Sequence, residues 1–404
     1  MGLTTVTFFS PTKPASWSWE ATNAEIAARY GLPLASIVRF DTNTAPAPPE
    51  VVREILAAGD FEVPISEYPP SDYARLIAAA ADRYDVSTNE LLVGAGADEI
   101  LDLIAKAFLS PGGAAIVPVP TYGMYPILTD QRGATVVRVP RSGAGSGFAL
   151  DAAAIRAAAS RPGTASQPGT AGQPGMADGP LPSLVWLCSP NNPTGRPEPD
   201  GLIADLLDGL LADADAGGRQ PPVVALDEAY IEFTGGSLLP LRARYPHLVV
   251  LRTLSKAYGI AGLRVGFAVA QPELIEALAV YRPPGSVSVV SVAVGAALLA
   301  DDRIARERVA ATIAERERFS ATLAAAGWSP LPSVTNFVPV EFATPAAADA
   351  AAEGLLSRGL IPRTFPAGHA LAHCLRLTVR NREEDDRLVA AAREIADTLD
   401  RAAP

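Results

Sequence analysis

Lysine is nearly missing from this 404-residue chain: of its 33 lysines and arginines, only Lys13, Lys106 and Lys256 are lysines. Any amine chemistry therefore has three candidates. Cysteine is as scarce, with Cys188 and Cys374 alone, which excludes a disulfide framework and suits a reducing compartment. Positive charge is in deficit, the formal net charge being −11. Nucleic acids and anionic membranes need a basic surface, so neither is expected as a partner. No apolar run is long enough to span a bilayer; VVSVAVGAALLA (289–300) is too short and reads as a buried helix. The opening MGLTTVTFFSPTKPASWSWE lacks the basic start and unbroken apolar stretch of a signal peptide. A cytoplasmic protein acting on small molecules is the expectation. Cys188, His247 and His373 stand in no metal-ligand spacing, so they read as structural and no metal is expected.

What the chain does have is alternation. Strand and helix signals follow one another, the pattern of an α/β fold, and the length exceeds what one core usually serves. PAPPEVVREILAA (46–58) and SDYARLIAAAADRY (71–84) read as helices, the second with Ser71 as N-cap. LLVGAGADEILDLIAKAFL (91–109) is a short apolar strand, a glycine turn and a helix. AAIVPVPTY (114–122), SLVWLCS (183–189), PVVALDEAY (222–230) and LVVLRTLS (248–255) are strands, the last three of the kind buried on both faces of a parallel sheet. Long helices are expected over 301–327 and in the C-terminal tail, with NFVPVEF (336–342) and CLRLTVR (374–380) as strands of a smaller sheet.

Chemistry concentrates on one rim of the larger sheet. Asp227 ends one apolar strand, where open α/β sheets bind ligands. Lys256 follows another, in the mostly uncharged Ser-Lys-Ala-Tyr-Gly-Ile-Ala-Gly-Leu. A solvated side chain is the bland reading of a lysine; it fits Lys106 and Lys13, and fits Lys256 poorly. Arg264 lies eight residues further on. Lysine, carboxylate and arginine on one rim suit a cofactor with an aldehyde, a pyridine nitrogen and a phosphate.

SPNNPTG (189–195), LDEAY (226–230) and TLSKAYGIAGLRVGF (253–267) resemble the fold-type-I aminotransferases. With VRFDTN (38–43), GAGADE (94–99), PTYGMY (120–125) and LRLTVRNREEDDRL (375–388), the chain most resembles the histidinol-phosphate aminotransferase family over most of its length. The resemblance implies an α/β fold: a large domain with a mostly parallel seven-stranded sheet between helices, and a smaller α+β domain. Residues 1–35 would form an N-terminal arm, 49–289 the large domain, and 36–48 with 290–404 the small domain. It implies pyridoxal 5'-phosphate held as a Schiff base by Lys256, which would also shuttle the α-proton. Asp227 would pair with the ring nitrogen, Asn192 and Tyr230 would bond the phenolic oxygen, and Tyr122 would stack on the ring, although a core tyrosine is its plain alternative. The backbone N–H groups of Ala97 and Asp98, at a helix start, would hold the phosphate with Ser255 and Arg264. Tyr68, in SEYPPSDY, would reach the neighbouring subunit's phosphate, implying a homodimer. Arg376, Arg363 and Asn43 fall on the substrate side; for either arginine alone a surface salt bridge is the bland reading.

The implied reaction passes an amino group between glutamate and imidazole acetol phosphate, giving histidinol phosphate and 2-oxoglutarate in histidine biosynthesis. Alternatives are an aromatic amino acid aminotransferase or a decarboxylase of a phosphorylated amino acid. Three departures touch the substrate side. Asn43-Thr44-Ala45-Pro46 stands where the family has Asn-Glu-Asn-Pro, and Pro284-Gly285-Ser286-Val287-Ser288 replaces a Tyr-Asn-Val-type stretch. An expected arm aromatic is not evident, although Trp17 and Trp19 are near.

The stretch 159–182 contains RPGTASQPGTAGQPGMADGPLP, a low-complexity insert too polar to offset the entropy of folding. It is expected to be flexible and without function. Limited proteolysis should cut there first, and shortening it to a few residues should change stability by under about 1 kcal/mol. A large loss of stability or activity in the shortened protein would show that it is packed or functional.

Overall fold

The computed structural model describes residues 21–59, 61–162 and 180–402. Lys13, Trp17, Trp19 and most of the 159–182 insert lie outside the described residues. The strands are β1 (Val38–Arg39), β2 (Leu91–Gly94), β3 (Ala114–Val119), β4 (Thr135–Pro140), β5 (Leu184–Cys188), β6 (Val223–Asp227), β7 (Leu248–Thr253), β8 (Gly266–Val269), β9 (Ser329–Pro330), β10 (Phe337–Glu341), β11 (Leu360–Ile361) and β12 (Cys374–Thr378).

Seven of them form the large sheet, in the order β2-β8-β7-β6-β5-β3-β4. All run parallel except β8, which is antiparallel to both its neighbours. The expected mostly parallel seven-stranded sheet is therefore present. Its middle strands β5, β6 and β7 are buried at every position but Val223, because both faces are covered. Val185, Leu187, Val224 and Leu226 pack into one core, while Trp186, Ala225, Val249 and Leu251 pack into the other. Two strands went unassigned in the sequence. β4 is an edge strand with only Val139 buried, so it lacks an unbroken buried apolar run; β8 is only four residues long and follows a glycine-containing turn.

The smaller sheet pairs β10 antiparallel with β12 and β9, over a separate core built from Phe40, Phe319, Trp328, Leu375 and Leu388. β1 pairs in parallel with β11 and carries the N-terminal segment onto this unit. The helix Asn23–Tyr30 begins with a capping box between Thr22 and Glu25 and buries Ile26 against Ile37 and Ile361. The last part of the expected arm is thus docked through apolar contact.

Two expectations need correction. The helix Ala74–Tyr84 starts later than Ser71, with Tyr73 in the left-handed conformation at the cap position and Asp72 accepting the Ala74 N–H at 3.3 Å. The helix Val289–Ala300 packs on Ala74–Tyr84 and buries Val292, Val294 and Leu298 in the large-domain core, so a boundary at 290 falls too early. The helix Asp302–Ala325 crosses from one core to the other, with Ala305 in the large-domain core and Phe319 in the small. We place the boundary within it. Among the described residues no helix is long and apolar enough to cross a membrane.

Gly266, at the start of β8, lies against the first turn of the helix Gly96–Phe108: a Cβ there would meet the Gly96 carbonyl carbon at 2.4 Å and the Ala97 nitrogen at 2.6 Å. Neither atom can swing aside as a side chain would. Gly266→Ala should therefore destabilise the protein by roughly 1–3 kcal/mol through overpacking, measured as a lowered midpoint in denaturant. An unchanged midpoint would mean that the strand and helix can part without cost.

Candidate active site

The carboxyl ends of the parallel strands meet the small domain around a cavity of about 690 Å³. Asp227 is the last residue of β6, Ser255 and Lys256 follow β7, the helix Gly96–Phe108 follows β2, and Tyr122 follows β3. From the small-domain side come Asn43, Arg363 and Arg376. Every cofactor and substrate residue expected from sequence lines this cavity except Tyr68. Tyr68 lies outside the cavity of its own chain and is 90% exposed.

Asp227 is buried, and each of its carboxylate oxygens accepts one hydrogen bond. Oδ2 accepts the Tyr125 hydroxyl at 2.8 Å and Oδ1 accepts the Ala229 N–H at 2.9 Å. Burial raises its pKa, while these two hydrogen bonds pull it back down by favouring the charged form. Tyr125 was missed in sequence. It sits on the helix Met124–Gln131, stacked on Trp186 with ring centroids 5.4 Å apart. The only signal was the second tyrosine of PTYGMY, three residues after Tyr122.

Lys256 opens onto the cavity, and its ammonium donates to the Asn43 carbonyl at 3.2 Å. Burial lowers its pKa to about 8, helped by the nearby Arg376 cation. Arg376 is itself lowered to about 10, again chiefly by burial. Its Nη1 donates to Asn192 Oδ1 at 2.6 Å, its Nη2 donates to the Asp41 carbonyl, and Nε finds no partner. Arg363 is joined to it by reciprocal backbone hydrogen bonds of 3.1 and 3.0 Å. Asn43 adopts a left-handed φ of 52° and donates its side-chain amide to the Tyr230 hydroxyl at 2.9 Å. With Asn43 as donor, the Tyr230 hydroxyl keeps its own proton for another acceptor.

At the helix start, Gly96 has a φ of 81°, and a Cβ would strike the Arg264 guanidinium. The first-turn N–H groups have no partner within the helix and face outward with the positive end of the helix dipole. Arg264 stands beside them, its Nη2 donating to the Asp98 carboxylate at 2.9 Å. The Tyr122 hydroxyl donates to the same carboxylate at 3.0 Å. The Asp98 side chain thus holds both neighbours, beyond the backbone N–H expected to matter there. Ser255 accepts the Thr253 hydroxyl at 3.0 Å. Cys188 also lines the cavity, but burial pushes its thiol up to about 12, so it stays protonated as a structural residue would.

The arrangement offers an amine close to neutrality, a buried carboxylate 29 residues before it in sequence, a helix start for an anion, and two adjacent arginines for a second anion. The model of the family "Aminotransferase class I and II" matches residues 35–391. The chain is 34% identical to the histidinol-phosphate aminotransferase of Roseiflexus castenholzii over 377 residues, 92% of this chain and 93% of that one. It is 36% identical to that of Xylella fastidiosa over 345 residues, 83% and 86% of the two chains. Among solved structures, histidinol-phosphate aminotransferase from Sinorhizobium meliloti in complex with pyridoxal-5'-phosphate matches with a TM-score of 0.81 at 25% identity, over 98% of this chain and 100% of that one.

The lowered pKa of Lys256 is directly measurable. In ligand-free protein, acylation of the Lys256 peptide should rise with a midpoint near pH 8, against about 10.4 for a solvated lysine. Arg376→Gln removes a neighbouring cation, which favours the ammonium form, so the midpoint should move upward. A wild-type midpoint near 10, or a downward move in the variant, would contradict the electrostatic account.

Proposed function

The chain belongs to the class I and II aminotransferases, among the histidinol-phosphate aminotransferases, and we propose that it transfers an amino group between glutamate and imidazole acetol phosphate using pyridoxal 5'-phosphate. The observation that carries the substrate assignment is the pairing of Arg363 with Arg376 across a backbone bridge in the cavity wall.

The residues present fit the cofactor. Gly96 and Gly266 leave the helix start bare where a side chain would fill the cradle, so the N–H groups of Ala97 and Asp98, with Ser255 and Arg264, would hold the phosphate. Asp227, whose charged form Tyr125 and Ala229 favour against its burial, would pair with the ring nitrogen and keep it protonated, and Asn192 and Tyr230 would bond the phenolic oxygen. Tyr122 would lie against the ring. Bound there, pyridoxal phosphate supplies an electron sink for negative charge at the substrate Cα.

The chain's own residues would do the rest. Lys256 would hold the cofactor and, with a pKa near neutrality, take and return the α-proton. The Asn43 carbonyl keeps its nitrogen directed into the cavity between turns. Arg376 would grip the glutamate carboxylate with its planar fork. Histidinol phosphate carries no carboxylate, so Arg376 and Arg363 would both turn to its phosphate. Truncating either would underpair a buried anion, at about 2–5 kcal/mol in transition-state binding.

Borohydride reduction should fix the cofactor on the Lys256 peptide, and Lys256→Ala should lose the visible absorbance and transamination; label on Lys106 would sink the assignment. Wild-type kcat/KM for histidinol phosphate should far exceed that for phenylalanine. Arg376→Ala should impair both half-reactions, and Arg363→Ala the phosphorylated substrate more. The stacked pair Phe365 and His369 in the same wall could favour an aromatic side chain instead, and comparable kcat/KM for phenylalanine would decide for that reading.

The working unit proposed is a homodimer. Tyr68, 90% exposed, is one of several large apolar side chains left in water, with Ile65, Val280 and Tyr281 among the others, and such side chains often mark an association surface. Mixing a Tyr68→Ala chain with a Lys256→Ala chain should restore activity above either parent, because heterodimers would carry one intact site. No recovery despite proven subunit exchange would place Tyr68 outside any partner's site.

A further inference from the structure

Beyond the two arginines, the cavity wall contains a histidine that no motif singles out. The chain leaves Arg363, passes Phe365, and turns back on itself through the His369 N–H to Pro366 carbonyl bond at 3.0 Å and the Ala372 N–H to His369 carbonyl bond at 3.0 Å. Gly368 takes the left-handed φ of 83° that this turn requires. The turn lays the His369 imidazole on the Phe365 ring, with centroids 4.9 Å apart and planes 13° from parallel. Both side chains line the cavity with Arg363 and Arg376.

The tautomer follows from a second contact. The Leu371 N–H donates to His369 Nδ1 at 3.1 Å, so Nδ1 is an acceptor and the ring proton sits on Nε2. Protonating Nδ1 would set two N–H groups against each other. Burial lowers the histidine's pKa, and the Arg363 cation lowers it further. The ring is thus a neutral donor of fixed orientation, beside two arginines.

We propose that His369 is a specificity-determining residue whose Nε2–H donates to the phosphate of the amine substrate beside Arg363. This deepens the reading of a phosphorylated substrate and rests on it. A carboxylate offers two oxygens in one plane and is satisfied by one guanidinium fork. A phosphate ester offers three free oxygens in a tetrahedron, so two forks and a further single donor match it better. A donor that phosphate needs and carboxylate does not is a device for discrimination, because an analogue lacking the partner leaves it unpaired.

The test uses holoenzyme carrying His369→Phe, which keeps the stack and removes the donor, and His369→Gln, which keeps a donor. His369→Phe should raise KM for histidinol phosphate roughly tenfold or more, as expected for a hydrogen bond to a charged group. KM for glutamate should stay within about twofold. Inorganic phosphate, competing against glutamate, should inhibit His369→Phe correspondingly more weakly, and His369→Gln should recover part of both effects. Equal losses for the two amino donors, or unchanged phosphate inhibition in both variants, would overturn the proposal. If wild-type enzyme fails to use histidinol phosphate, the functional reading falls separately. The phosphate competition still decides the role of His369: weaker inhibition of the variant supports the anion contact, and equal inhibition refutes it.

Discussion

One short bent stretch of chain, Asp41–Asn43, joins the two halves of the site. The Asn43 N–H donates to the Thr378 hydroxyl on β12, and its carbonyl accepts both Asn336 at 3.0 Å and Lys256 at 3.2 Å. Its side chain reaches Tyr230 on the large domain. Two residues earlier, the Asp41 carbonyl receives Arg376 while its carboxylate receives Arg39. Asn43 thus bonds to both domains from a left-handed backbone, a conformation that asparagine tolerates better than most. Remove this stretch and Lys256, Tyr230 and Arg376 lose their common reference.

The constraint is electrostatic as well as geometric. The protein is acidic overall, yet its cavity gathers Lys256, Arg264, Arg363 and Arg376. Burial works against the charges of Lys256, Arg363 and Arg376, and the like charge of Arg376 works against Lys256. Asp227 and Asp98 offset part of this, since both raise the lysine's pKa. The result is a lysine poised near neutrality, where proton transfer in either direction is inexpensive. At Asp227 the balance is of the same kind: burial raises the carboxyl's pKa, and the hydrogen bonds from Tyr125 and Ala229 oppose that rise.

That Asp227 and Lys256 would gather on one rim was legible in the sequence, because they occupy strand ends with local signatures. The apolar runs before Asp227 and Lys256 put both on one rim, and the strand-glycine-helix pattern at 91–109 marked the anion site. Tyr125 and His369 were not legible. Each acts through a turn or a stack that joins residues distant from the motifs, and neither has a spacing that distinguishes it from a core or surface residue. The domain boundary failed for a related reason. The helix Val289–Ala300 is apolar on nearly every side, so its sequence declares burial without saying in which core. β8 was hidden because a strand of four residues carries too little pattern to read.

The partners of Arg376 explain how one residue could serve two chemically different substrates. Both of its hydrogen-bond acceptors, Asn192 Oδ1 and the Asp41 carbonyl, are neutral, and its Nε has none. An acidic partner would have neutralised the guanidinium and left little incentive to bind another anion. Neutral partners hold the fork in place without pairing its charge, and burial depresses its pKa to about 10, with the Arg363 cation adding to the effect and the Asp41 charge only partly opposing it. Any anion that enters, carboxylate or phosphate, supplies the missing counter-charge. The same event would relieve the repulsion on Lys256 and raise its affinity for a proton. Substrate binding would therefore favour the protonation state that the lysine needs to return the α-proton, an electrostatic coupling that depends on charge and is blind to the shape of the anion. Shape must be read elsewhere in the wall, by Arg363 and the turn that carries His369.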